Sequence, residues 1–244
     1  MKKLKMFLGF LGLFAIVMAC SDDSGSSGNQ MKVFAKATYD NNASRISANK
    51  TNATVALTDF RINVREVTLK YKEADDDNDQ GEDDKSGNNG NGYQDITVSG
   101  PWELDLLNQT TAITTINVPN GTYKKAELQL SKSLVATSPI FGKTVEIKGT
   151  INDTPFVFWH DFDQRLKLNY ENDPVVISNN SFDLVFSFDL NQLVSMLDLD
   201  DAVDGNGNGI IEIGPNDTDG NNALAQLLNQ HIGGCGGIEH HNHH

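Results

Sequence analysis

Apolar and polar residues alternate along residues 32–39 (KVFAKATY) and again along 54–57. That period of two turns one face of a pleated strand inward and leaves the other to water. Between residues 60 and 72 the alternation slips phase once: Ile62 and Val64 share a face, and Val67, Leu69 and Tyr71 resume one residue out of step. A β-bulge near Arg65 and Glu66 is the simplest account, because two strands joined by a tight turn would need a turn residue at that point. Further strands are predicted at 93–98, 102–107 (WELDLL), 113–118, 123–130, 144–150, 156–160, 165–170 and 175–178, with turn residues between them. Residues 181–190 alternate most cleanly, with Phe182, Leu184, Phe186 and Phe188 on one face and Asp183, Val185, Ser187 and Asp189 on the other. The pattern predicts a mainly β chain, a sandwich spanning 31–189.

At Leu190 the period lengthens. Leu190, Leu193, Val194 and Leu197 fall at helical spacing after Asp189, and Leu224, Leu227, Leu228 and Ile232 do so after the capping candidate Asp219. Residues 190–232 are therefore expected to form a small helix-loop-helix appendage. Its loop runs Asp204-Gly-Asn206-Gly-Asn208-Gly209-Ile210-Ile211-Glu212. This resembles the first nine positions of a calcium loop of the EF-hand or dockerin kind, in which oxygen ligands at every second residue wrap a hard cation and a glycine makes the sharp bend. The resemblance implies calcium held by Asp204, Asn206, Asn208, the carbonyl of Ile210, and Glu212 directly or through water. Ile210 and Ile211 follow Gly209 where such loops put a short paired strand.

The match stops at the twelfth position, where the bidentate Glu is replaced by Pro215. Asp217 or Asp219 would have to reach back, or Asp200 and Asp201 contribute from the other side. With two Asn in place of Asp, the expected affinity is about 10⁻⁴ to 10⁻³ M, suited to a staple in a calcium-rich medium. A Gly/Asn-rich connector between helices is the alternative.

The amino terminus adds an address. Lys2, Lys3 and Lys5 precede an apolar run over 6–19 that ends at Ala19. The run is too short to span a bilayer, which takes roughly 20 apolar residues, and reads as a secretory signal. Val17-Met18-Ala19-Cys20 resembles the bacterial lipoprotein box, which implies a diacylglycerol on Cys20, cleavage before it and acylation of the new amino terminus. Two or more acyl chains make a lasting membrane anchor. Ser21-Asp22-Asp23-Ser24 resembles the acidic signal by which Bacteroidota-type bacteria export lipoproteins to the outer face of the outer membrane. Residues 20–30 then form a flexible Gly/Ser tether.

The resemblances continue into the body. Gly121-x-Tyr123 after Pro119 resembles the tyrosine corner of immunoglobulin-like sandwiches, where a hydroxyl ties a strand to the preceding connection. Together with Trp102-x-Leu104-Asp105-Leu106-Leu107 it resembles an uncharacterised β-sandwich domain that recurs in bacterial lipoproteins, over about residues 31–133. The fold implied is an immunoglobulin- or transthyretin-like Greek-key sandwich. That resemblance brings no activity with it.

Composition narrows the partners. The chain carries 33 acidic against 19 basic residues, a formal charge of −14 that becomes −17 once the three leader lysines are gone. With acid in such excess, little is available to displace counterions from phosphates, so nucleic acid is not an expected partner. Eight carboxylates crowd residues 73–91 against one lysine, with no apolar residue beyond Ala74. This acidic insertion reads as a solvated hairpin tip or as a loose collector of divalent cations. With Cys20 lipidated, Cys235 has no cysteine to pair with, and no disulfide framework supports the fold.

Residues 233–244 are glycine-rich and then histidine-rich. Cys235, His240, His241, His243 and His244 are good ligands for zinc, nickel or copper, but a flexible tail offers no scaffold for fixed geometry. An appended purification tag is the rival account. His160, Asp161 and Asp163 are candidate ligands that a simple turn also explains. No nucleophile elbow, HExxH, phosphate-cradling glycine loop or CxxC is present, so the chain reads as a non-enzyme. The expected role is a membrane-anchored, surface-exposed binding or structural module with a glycan or protein ligand. The alternative is a metal-scavenging lipoprotein, and a hydrolase would require a cleft gathering His160 with carboxylates.

Overall fold

In the computed structural model the described residues are 29–40, 53–71, 95–169, 174–178 and 180–243. Cys20, the leader, the acidic insertion 73–91 and His244 lie outside them, and His243 is described by its backbone alone. The chain is mainly β and folds as two packed sheets. The first sheet has the strand order β12-β10-β1-β4. Its members are β1 (Asn29–Thr38), β4 (Thr110–Val118), β10 (Ser181–Asp189) and β12 (Gly236–His243). Asn29 and Gln30, expected in the tether, already pair with Val118 and Asn117. β1 runs parallel to β10 and antiparallel to β4.

The second sheet is organised along β2 (Val55–Tyr71), which merges the two strands expected at 54–57 and 60–72. β6 (Val145–Ile151) pairs with the first half of β2, and β5 (Gly121–Leu130) with the second. Outward from these lie β7 (Thr154–His160) on β6, and β8 (Gln164–Asn169) and β9 (Val175–Ile177) on β5. The register of β2 against β5 shifts between Val64 and Glu66, which is the bulge that the phase slip predicts. The two halves meet at Asn63, whose N–H donates to Thr144 O at 2.9 Å and whose carbonyl accepts from Ser131 N–H at 3.2 Å. Its side-chain amide donates to Ser131 O at 2.9 Å, so this buried polar residue is satisfied at the point where two strands part.

β3 (Ile96–Asp105) also merges two expected strands, running through Gly100-Pro101 opposite the bulge. Among the described strands it pairs with β2 alone, and an edge strand tolerates a residue that cannot donate. The sheets close on each other through alternate residues. Met31, Val33, Phe182, Leu184 and Phe186 of the first sheet and Ile62, Val64, Leu128 and Val145 of the second are fully buried. Phe60 meets Phe188 edge to face across the interface, with centroids 5.9 Å apart. At the start of β5, the Tyr123 hydroxyl donates to Pro119 O at 3.1 Å, the tie that the tyrosine-corner resemblance implies. Burial of that phenol pushes its pKa up to about 12.

The expected appendage is built onto the sandwich. α1 (Leu190–Met196) leaves β10 directly, with Asp189 capping it by accepting Gln192 N–H at 3.1 Å. β11 (Ile211–Ile213) adds to β7 as a parallel strand, and α2 (Asn222–His231) packs against both. Ile211, Ile213, Leu224, Ala225 and Leu228 join the same apolar cluster as the strands. The cap of α2 is Asn221 rather than Asp219, because Asp219 is engaged in the loop. The tail differs further from the expected one. Residues 236–243, expected to be flexible, form β12 in antiparallel register with β10, and Lys36 Nζ reaches Glu239 at 2.7 Å.

Candidate metal centre

The loop between the 3-10 turn Leu199–Asp201 and β11 folds on its own side-chain oxygens. Asp204 is the hub. One of its carboxylate oxygens accepts the N–H groups of Gly207 and Asn208 at 2.8 and 3.1 Å, and the other accepts Gly209 N–H at 2.8 Å. Asn206 Oδ1 then accepts Asn208 N–H at 2.9 Å, and Asn208 Oδ1 accepts Ile210 N–H at 2.8 Å. Each side chain thus bends the backbone ahead of it inward. Gly207 and Gly209, at φ +74° and +87°, occupy left-handed conformations that a side chain would strain.

A second turn locks onto the first. Of the two carboxylates considered for reaching back, Asp219 does so and Asp217 does not. Asp217 accepts the N–H groups of Gly214, Asp219, Gly220 and Asn221 at 2.8 to 3.1 Å, and so folds its own turn. Asp219 is buried and spans the loop, with Oδ1 accepting Asn206 N–H at 3.1 Å and Oδ2 accepting Glu212 N–H at 2.7 Å. Thr218 completes the bridge: its hydroxyl accepts from Asn206 Nδ2 at 2.8 Å and donates to Glu212 Oε2 at 3.1 Å. Asn221 fastens the base by pairing with both backbone groups of Val203 and donating to Glu212 O at 2.8 Å. Asp200 and Asp201 sit exposed on the 3-10 turn.

The donor set is oxygen alone: carboxylates from Asp204, Glu212 and Asp219, amides from Asn206 and Asn208, and the Ile210 carbonyl. Hard cations prefer such oxygens. Each amide oxygen accepts one N–H within the loop and keeps a second lone pair, so loop folding leaves coordinating capacity. Among the described residues no three His, Cys, Asp or Glu side chains converge as a metal cluster. A cation here would therefore depend on the amide and carbonyl oxygens that accompany the carboxylates. Thr218 and Asn221 carry no signal in the loop motif, since their roles arise only when the second turn folds over the first.

Of the tail residues, Cys235, His240 and His241 are not brought together, and the side chains of His243 and His244 lie outside the described residues. Cys235 is buried, its thiol donates to Ile232 O at 3.1 Å, and burial pushes its pKa up to about 12. His240, opposite Leu184, stacks on Phe182 at 5.6 Å, whereas His241 lies opposite Asp183. Successive strand residues point to opposite faces, so β12 separates these two imidazoles. His160, at the end of β7, spends Nδ1 on the N–H groups of Asp161 and Phe162 at 2.9 and 3.1 Å. Its ring is buried against Phe162, and that burial holds its pKa below the ordinary value against the opposing pull of Asp161 and Gln226. The arrangement organises a turn.

The chain matches no family model, no curated protein and no solved structure.

Proposed function

We propose that the protein is a lipoprotein held to the outer membrane by acyl chains on Cys20 and facing the cell exterior. Its sandwich is then a non-catalytic binding or structural module for a glycan or protein ligand, and calcium staples the loop at 204–219. The anchoring part of this reading rests on residues 1–24 alone. The calcium part is supported by one observation above others: Asp219 lies across a D-x-N-x-N-G loop, hydrogen-bonded to both Asn206 and Glu212, where the sequence lacks the usual closing Glu. Asp204, Asn206, Asn208, the Ile210 carbonyl, Glu212 and Asp219 would hold the ion. Bound calcium would offset two of the three carboxylate charges and cross-link the turn that precedes β11 to the turn that joins β11 to α2.

Calorimetric titration of the full chain with calcium tests the staple. A dissociation constant of about 10⁻⁴ to 10⁻³ M is expected. At a hundredfold excess over that constant, binding adds about 2.7 kcal/mol, which raises the melting temperature by roughly 5–10 °C. Asp204→Ala should abolish both effects. A chain that melts identically with calcium and with chelator would overturn the staple. Intact-mass analysis of the exported protein checks the anchor, which requires Cys20 to carry acyl groups.

A further inference from the structure

Three of the large apolar side chains most open to solvent sit on one loop. Leu134, Val135 and Phe141, between β5 and β6, are 77%, 47% and 54% exposed. The loop is rigidly held. Ser133 N–H donates to Lys143 O at 2.9 Å, Gly142 N–H returns to Ser133 O at 2.8 Å, and Phe141 N–H donates to Ser138 O at 3.1 Å. Ile140 is fully buried beneath it as an anchor, and the Ser138 hydroxyl bonds to the Glu103 carboxylate. An exposed apolar cluster on a fixed scaffold is costly to keep in water and marks a contact surface.

Charge and area decide what touches it. From residue 131 to 144 there is no carboxylate, although the chain carries 33. The loop instead carries Lys132, which is exposed, and Lys143, which pairs with Glu146 at its base. Even a fully buried Phe covers only about 150–250 Å². Three partly exposed side chains therefore fall short of the ~800 Å² per partner of a stable protein interface. A bilayer needs no complementary shape: apolar tips enter the boundary of headgroups and acyl chains while lysines stay among the headgroups.

We propose that the loop at 131–143 is an apolar prong that inserts Leu134, Val135 and Phe141 into a phospholipid bilayer. The contact is separate from the acyl anchor. The chain enters the body at Asn29, beside Asn120, and the prong follows the far end of β5, some 30 Å of strand away. Contact through the prong would fix which end of β5 faces the membrane, which an acyl anchor on Cys20 alone would not.

The test places an indole at the tip of the full chain by Phe141→Trp and reads its fluorescence with phosphatidylcholine vesicles carrying brominated acyl chains. The unsubstituted chain is subtracted to remove Trp102 and Trp159. Insertion predicts a blue shift and strong quenching of the introduced indole. A control at Val176→Trp, equally exposed on β9, stays unquenched. Adding Leu134→Ser and Val135→Ser should lower partitioning of the tip about tenfold or more. Both positions face solvent, so the fold is preserved. Vesicle-bound chains without quenching at the tip would sink the prong and leave the anchor standing. Quenching that persists when Cys20→Ala removes the lipid would support the prong without the anchor. Equal quenching at both positions, or no association of the chain with vesicles, overturns the proposal.

Discussion

The backbone of Gly205 lies against that of Asp219 so closely that a Cβ on the glycine would come within 2.3 Å of the aspartate carbonyl oxygen. The obstacle is main chain, which cannot rotate away, so the contact sets how near the second turn approaches the first. Gly205→Ala should force the turns apart at a cost of about 1–3 kcal/mol. Thermal melting checks this, with a fall of roughly 2–4 °C per kcal/mol in a chain of this size. An unchanged melting temperature would mean that the turns are not held at this distance.

Asp219→Asn keeps the size of the side chain but turns one acceptor into a donor facing a backbone N–H. The substitution should cost about 1–3 kcal/mol and weaken calcium binding at least about tenfold, since a carboxylate is lost with it. Asp217→Asn should destabilise comparably, because four N–H groups converge on that carboxylate. Its effect on calcium affinity should be the smaller of the two. Paired titrations of the two variants separate the roles.

Cys235 should resist thiol reagents while the protein is folded. Its sulfur is buried and its pKa stands near 12, so almost no thiolate exists at pH 8. Labelling with a chromogenic disulfide should appear only as denaturant unfolds the chain, and nickel or zinc should not slow it. Rapid labelling of the native protein would place the thiol at the surface and reopen a metal site in the tail.

His160 gives acid a point of attack. Burial lowers its folded pKa beneath the unfolded value of about 6.5, so the native state binds fewer protons than the unfolded one in that range. Stability is full above about pH 6.5 and declines as pH falls toward the folded pKa. His160→Asn, whose oxygen can still accept from the backbone of Asp161 and Phe162, should flatten this slope. Chemical denaturation at a series of pH values between 7 and 5 measures it.

β12 covers the edge of β10, which would otherwise present a row of unpaired backbone groups beside a strongly apolar face. Removing residues 236–244 should therefore produce association as well as lower stability. Light scattering after size exclusion distinguishes a chain that pairs through the freed edge from one that stays monomeric and merely melts earlier.

Most of the elements are legible along the chain, because alternation, phase and helical spacing are local properties of it. Arg65 and Glu66 mark the bulge through a slip readable in side chains alone, and the D-x-N-x-N-G spacing fixes the turns around Asp204 through bonds spanning two to five residues. Tertiary structure decided the choice between Asp217 and Asp219, since each faces a different turn only after the segments pack. It also decided that Gly236–His243 is a strand. That strand is attached chiefly by backbone hydrogen bonds, with the half-buried Ile238, the Lys36–Glu239 ion pair and the His240–Phe182 stack beside them, and main-chain pairing leaves no periodic signature in the side chains that carry it.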